Sequence, residues 1–406
     1  MKKLDLYTGL GGFVVAGDRV GISTIFTSEI DTFNCKLIEQ KLELENAGDV
    51  KNVCVSEQSH PYRDLIERED FVPCEKYGFS SLCIEDFYEG VIEYPDIITG
   101  GFPCQNVSQA NLAGSNAGIE GESSSLVEEQ LRIISALEPK YCVFENAKNL
   151  VNRGLDRILA QLENLGYEAQ WGTVSATAFG YPHYRHRTFL VAYLPSTNVG
   201  KLGIDIFNSM KRYTVKHGEF KLPLPHEDDL WIKDFATVKL PRSIKYRTKR
   251  INSLGNAIIP DIAEAIFNVL LDAENEAISK LKLITLDDAY KKSEITNLNN
   301  SNSKNKYGFI KMADAGCLKG RYLYESEFRD TLLNPTNNEF KGLYSTLIAK
   351  DGNNNFTCKS RLTRPGKLGG LVGSIMSLGV NEGGLDPNFC EWMMGYDLDY
   401  TLLPLS

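Results

Sequence analysis

The chain has 406 residues, 42% of them hydrophobic and 24% charged, with a formal net charge of -9. That length suffices for two to three domains, and the composition is that of a globular chain rather than a disordered or fibrous one. No run of eighteen apolar residues occurs, so no membrane span is expected, and nine cysteines without a C-x-x-C pair argue against a disulfide framework or a zinc site and fit a reducing cytosol.

In chain order, "KKLDLYTGLGGFVVAGDRVG" reads as a strand, a glycine turn and a helix; Asp5 and "DRVG" argue against a signal peptide. "ISTIFTSEIDTF" reads as a second strand ending at Glu29 and Asp31, and "CKLIEQKLELE" as a helix. "PDIITGGFPC" is a strand that ends on a glycine-rich turn. "SLVEEQLRIISALEP" carries Leu126, Leu131, Ile134 and Leu137 at close to helical period. "KYCVFENAKNL" is a strand, "GLDRILAQLENLG" a helix, and "EAQWGTVSA" and "RTFLVAYL" are strands. Strands alternating with helices of this length predict a doubly wound α/β sheet. "PDIAEAIFNVLLDAENEAISKL" is a long amphipathic helix opened by Pro260, and the Asn-, Ser- and Lys-rich "KKSEITNLNNSNSKNKYGF" is the clearest linker. Residues 307–406 are glycine-rich and read as a smaller mixed α/β domain.

The charge is uneven. Residues 200–255 carry 12 basic and 6 acidic side chains, and "KLPRSIKYRTKR" at 239–250 is purely basic. Such a run is either a solvated loop or a phosphate-contacting surface.

Ligands of open α/β sheets gather at the carboxyl ends of the strands, and four such ends here carry unusual residues. Gly9, Gly11 and Gly12 let backbone approach a ligand, although the spacing is not the dinucleotide fingerprint. Glu29 suits ribose hydroxyls. Cys104, behind Pro103 on "GGFPC", is placed as an accessible thiol, whereas an isolated Pro-Cys pair is more often structural. Glu145 leaves an apolar strand, where partial burial raises a carboxyl pKa and lets it donate a proton. Arg185 and Arg187, on alternate residues before a strand, point the same way and are expected to share one anionic target.

The series "DLYTGLGG", "GGFPCQ", "FENAKNL", "YPHYRHR" and "LGNAIIP" resembles, in content and order, the motifs of the DNA (cytosine-5) methyltransferase family of bacteria and phages; the resemblance covers about 1–195 and 245–275. It implies a Rossmann-like sheet that binds S-adenosylmethionine and yields S-adenosylhomocysteine. By resemblance, Cys104 attacks carbon 6 of a cytosine flipped from duplex DNA. Glu145 acts at ring N3, Arg187 with Arg185 holds the base, and the loop after Cys104 closes over DNA with Ser108 at its backbone. The implied cofactor contacts are Tyr7, Gly9, Leu10, Gly11, Gly12, Glu29, Ile30, Ile84, Pro103, Leu126, Asn256 and Ala257. The implied partners are double-stranded DNA and a cognate restriction endonuclease, for a cytoplasmic monomer on DNA with no metal.

Two departures stand out. The position of the expected adenine-binding aspartate holds Cys83, with Glu85, Asp86 or a backbone carbonyl as its substitute, and the usual glutamine before the paired arginines is His183. The tract "GGLDPNFCEWMMGYD", which relatives carry just before their "GN" motif, here lies far beyond it. The expected organisation is a catalytic domain at 1–195 plus 245–285, a basic insert at 196–244, a linker at 286–306 and a target recognition domain at 307–406. Arg361, Arg364 and Lys367 are its candidate DNA contacts.

Overall fold

The computed structural model describes residues 1–53, 93–103, 126–216, 219–222, 230–275, 294–297, 312–319, 322–326, 343–357 and 370–404. The chain begins with β1 (Lys2–Leu6), α1 (Gly12–Val20), β2 (Ser23–Ser28) and α2 (Thr32–Leu37). Between β1 and α1 the backbone turns sharply, and Tyr7, Gly9 and Gly11 all take positive φ (54°, 56° and 77°). Asp31 caps α2 by accepting from the amides of Phe33 and Asn34.

Next come β3 (Ile97–Gly100), α3 (Val127–Leu137), β4 (Tyr141–Ala147), α4 (Leu155–Asn164), β5 (Glu168–Ser175) and β6 (His186–Tyr193). They are followed by β7 (Thr237–Val238), α5 (Arg247–Asn256) and α6 (Pro260–Glu274). Among the described residues the main sheet has nine strands, in the order β2-β1-β3-β4-β6-β5 and then β9 (Ala315–Lys319), β10 (Tyr322–Ser326) and β8 (Glu294–Asn297). The β2-β1-β3-β4 half is parallel, whereas β6 runs antiparallel to both β4 and β5. Strands β3 and β4 are apolar because helices cover both faces of the parallel half.

On one face α1 and α6 pack together with α5; on the other lie α3 and α4. Helix α6 buries Ile262, Ile266, Phe267, Val269 and Leu270, each of which stabilises the fold by about 1.5–3 kcal/mol relative to exposure. Lys3 and Asp5 of β1 are also fully buried. Lys3 donates to the Thr24 hydroxyl and Asp5 accepts from Thr99. Burial lowers the Lys3 pKa and raises that of Asp5, each partly opposed by the other's charge.

The tract beyond residue 293 differs from the expectation of a separate small domain. Strands β9 and β10 extend the main sheet, β9 pairing with β5. Gly316 makes this possible, since a Cβ there would lie 2.3 Å from the Trp171 ring. Further on, α7 (Gly370–Met376), β11 (Gly384–Leu385) and α8 (Pro387–Met394) enter the same apolar core as α5 and α6 through Leu371, Val372, Ile375, Phe389 and Met393. Strand β11 pairs with β7, and Arg250 of α5 forms a buried 2.8 Å ion pair with Glu391 of α8. The basic run is therefore split. Arg247 and Arg250 are buried fasteners, while Lys239, Lys245 and Lys249 are exposed.

Candidate active site

Register brings the motifs together. Leu6, Gly100 and Phe144 are partners across β1, β3 and β4. The glycine turn, the segment Gly101–Pro103 and Glu145 therefore emerge side by side. Because β6 is antiparallel, its amino end meets the carboxyl end of β4, with Arg187 opposite Ala147 and Phe189 opposite Glu145. Glu145 and Arg187 are thus diagonal neighbours on one face. Their side chains meet, Arg187 Nε lying 2.9 Å from Glu145 Oε1.

Glu145 is 6% exposed. Burial raises its pKa, and the Arg187 and Arg185 charges oppose that rise. The two glycines before Phe102 have separate structural causes. A Cβ on Gly101 would lie 3.2 Å from Glu145 Oε2, and one on Gly100 would collide with Gln130. Asn146 donates to the Phe102 carbonyl at 2.9 Å, fixing the chain two residues before Cys104. Cys104 itself lies outside the described residues, as do Ile84, Ser108, Arg361, Arg364 and Lys367.

Arg185 and Arg187 differ in their direct contacts. Arg185 precedes β6 and turns inward, 2% exposed. It donates to the carbonyls of Gly255 (3.2 Å), Leu347 (3.2 Å) and Ala257. The alternation argument fails because Arg185 is not part of the extended strand. Arg187 contacts Glu145 directly, whereas Arg185 acts on it through its charge and clamps the "GN" segment at the end of α5.

At the glycine turn, the Glu29 carboxylate accepts from the amides of Gly9 (2.6 Å), Ile30 (2.9 Å) and Asp31 (2.7 Å). Burial raises its pKa against those three hydrogen bonds. The Tyr7 hydroxyl donates to the Leu126 carbonyl, tying the turn to the start of α3. Ile30 is 63% exposed beside this carboxylate, an apolar side chain free to pack on a planar ligand. Pro103 and Leu126 are half-buried, Asn256 is exposed and Ala257 is buried. Leu10 is buried and Gly11 opens α1. Gly12 has a packing reason of its own. A Cβ there would lie 2.4 Å from Ile258 and 2.8 Å from the Tyr396 hydroxyl.

Tyr396 and Tyr400 at this end have no role in the sequence reading, and His183 enters it only as a substitute for the usual glutamine. The Tyr400 hydroxyl donates to the Leu10 carbonyl at 2.6 Å and that of Tyr396 to the Ile258 carbonyl at 3.1 Å. His183 is fully buried with Nε2 3.0 Å from the Met393 carbonyl, and burial with the Arg185 charge pushes its pKa down to about 3. Met393 and Tyr396 lie in the "GGLDPNFCEWMMGYD" tract, whose likeness to a "GN"-flanking segment is the sequence signal that could have pointed to these contacts.

The sheet with a carboxylate and a guanidinium paired at its strand ends defines an α/β fold with a polar site at one sheet edge. The model of the C-5 cytosine-specific DNA methylase family matches residues 83–328, and the chain belongs to that family. Its sheet is the Rossmann-like sheet of these methyltransferases. Among similar proteins, the type II methyltransferase M.HpaII of Haemophilus parainfluenzae is 32% identical over 204 residues, 48% of this chain and 47% of that protein. M.Sau3AI of Staphylococcus aureus is 26% identical over 235 residues, 56% and 51% of the two chains. The chain spans about half the length of the curated relatives it matches. A crystal structure of the S. pombe Dnmt2 methyltransferase aligns with 61% of this chain and 66% of its own at 15% identity and a TM-score of 0.38.

Proposed function

We propose that the protein transfers a methyl group from S-adenosylmethionine to carbon 5 of a flipped cytosine in a specific duplex DNA sequence. The observation that carries this reading is the Glu145–Arg187 pair at the joined ends of β4 and β6, one strand from the segment that leads into Cys104. Bound S-adenosylmethionine supplies an electrophilic methyl group and departs as S-adenosylhomocysteine. The donor set suits it. Glu29 sits rigidly at the ribose end, Ile30 is exposed beside it, and the glycine turn gives close backbone approach.

The chain's residues account for the rest. The Cys104 thiolate forms a bond to carbon 6, and the displaced electron pair of the 5,6 double bond makes carbon 5 nucleophilic. Buried Glu145 holds the proton that ring N3 takes up as this charge develops. Arg187 keeps the carboxyl oriented and presents its remaining N–H groups to the base. After methylation, loss of the carbon 5 proton restores the double bond and expels the thiolate, and N3 returns its proton. Residues 307–406 are the proposed target-recognition segment, with Arg361, Arg364 and Lys367 as its DNA contacts. A cognate restriction endonuclease is the proposed partner, and the cytoplasm of a bacterial or phage-infected cell the proposed setting.

Bisulfite sequencing of DNA from cells expressing the protein tests this reading. Protected cytosines are expected within one fixed sequence, and Cys104→Ala is expected to abolish them. Methyl incorporation into RNA and none into DNA would overturn it.

A further inference from the structure

A cleft of about 500 Å³ lies away from the Glu145 site, between the basic run and the tract after Ile348. Lys239, Arg247 and Thr248 line one side and Asn353, Asn354 and Asn355 the other. Its charged lining residues are both cations. Arg247 is 7% exposed and donates to the carbonyls of Leu385 (2.8 Å) and Gly352 (3.1 Å). Its Nη2 has no hydrogen-bond partner among the described residues, and no carboxylate there forms an ion pair with it. A guanidinium held this deep by neutral carbonyls keeps its positive charge facing the cleft, opposed only at longer range by Asp386, because carbonyl dipoles orient the charge without cancelling it. Lys239, Asn353 and Asn355 are exposed at the mouth. Ammonium, amide and hydroxyl groups of this kind are the donors that contact phosphate oxygens.

The cleft also has a fixed relation to the active site. Helix α5 runs from Arg247 and Thr248 in the cleft to Gly255, where Arg185 clamps the site end. From Thr248 to Asn256 the helical rise spans about 12 Å, a separation that one DNA duplex bridges easily. We propose that this cleft binds the phosphodiester backbone of the substrate duplex, with Lys239 and Arg247 as its cations and Asn353 as a neutral donor. This inference rests on the DNA-methylating reading above and specifies where that DNA is gripped.

The test is binding of full-length protein to fluorescent cognate and unrelated duplexes across a salt series. Lys239→Gln and Asn353→Asp change exposed side chains, so unchanged melting temperatures are the control for folding. Both variants are expected to weaken binding to the two duplexes by the same several-fold factor. Lys239→Gln is expected to lower the slope of log K against log salt by about one. An unchanged slope and affinity, or a loss confined to the cognate duplex, would overturn the cleft assignment. Methyl transfer to DNA by the unaltered protein is measured alongside. Its absence defeats the functional reading, whereas its presence with unaltered Lys239→Gln binding defeats only the cleft.

Discussion

Arg187 Nε and Glu145 Oε1 lie 2.9 Å apart where two antiparallel strands end together. The contact balances two demands: burial favours a protonated carboxyl, while the guanidinium favours the carboxylate. Glu145→Gln is expected to lower kcat for methyl transfer by about 10²- to 10⁴-fold, the usual scale of a lost proton-transfer group. Radiolabelled methyl incorporation at saturating DNA measures it, and a fall of less than threefold would remove Glu145 from the chemistry.

The same pair sets a pH dependence. Arg187 lowers the Glu145 pKa, so Arg187→Gln leaves the buried carboxyl with less opposition and its pKa rises further. If the protonated carboxyl is the active form, activity falls as pH rises through that pKa. The alkaline limb of the kcat/KM profile is therefore expected to move to higher pH in Arg187→Gln, together with a lower maximum. A limb that stays in place argues that the limb reports another group.

Arg185 and Arg187 are expected to separate experimentally. Arg185→Ala strands the carbonyls of Gly255, Ala257 and Leu347 inside the protein, at a cost of about 3 kcal/mol or more. Chemical denaturation is expected to show that loss, with Arg187→Ala nearly as stable as the parent. Equal stability of the two variants would contradict the clamp.

His183 gives a prediction in stability rather than rate. Its folded pKa is pushed down to about 3 by burial first and then by the Arg185 charge, and it stays neutral in the fold. The unfolded chain binds a proton near pH 6.5, so the folded state loses ground as pH falls below that value, by up to about 1.4 kcal/mol per unit. His183→Gln is expected to flatten this acid-side slope between pH 6.5 and 5. An unchanged slope would assign the acid sensitivity elsewhere.

Gly12→Ala places a methyl group against Ile258 and Tyr396. Overpacking of this kind costs about 1–3 kcal/mol. It is expected to lower the melting temperature and to weaken S-adenosylmethionine binding by calorimetry, because α1 must shift at the turn. An unaffected Kd would place the turn away from the cofactor.

Much of the site was legible because its signals are local. Apolar strands that end in glycine or acid identified β1, β3 and β4, and their shared parallel register does the rest. Glu145 stood out as a carboxylate on an apolar strand, and its burial follows directly. The role of Arg185 was not legible, since its partners come from 70 to 162 residues further along the chain. The β9 extension was hidden for a similar reason. Gly316 weakens the local strand signal, and its use appears only when Trp171 occupies the space it leaves. The tract after residue 293 looked separable because a linker-like composition precedes it, yet its apolar residues complete a core that the first half leaves open. Deleting it removes Met393, Leu347 and Glu391, which contact His183, Arg185 and Arg250, so point substitutions, rather than truncation, are the suitable probes of target recognition.

The placement of α8 beside α5 has a wider consequence. The two helices are far apart along the chain, and a buried ion pair, a two-residue strand pairing and two tyrosine hydroxyls hold the later tract against the earlier one. Covalent continuity does nothing to keep them in register. The alignment of the glycine turn is thus an equilibrium property of side-chain packing, and a change that loosens the segment around Tyr400 reaches Leu10 through their hydrogen bond.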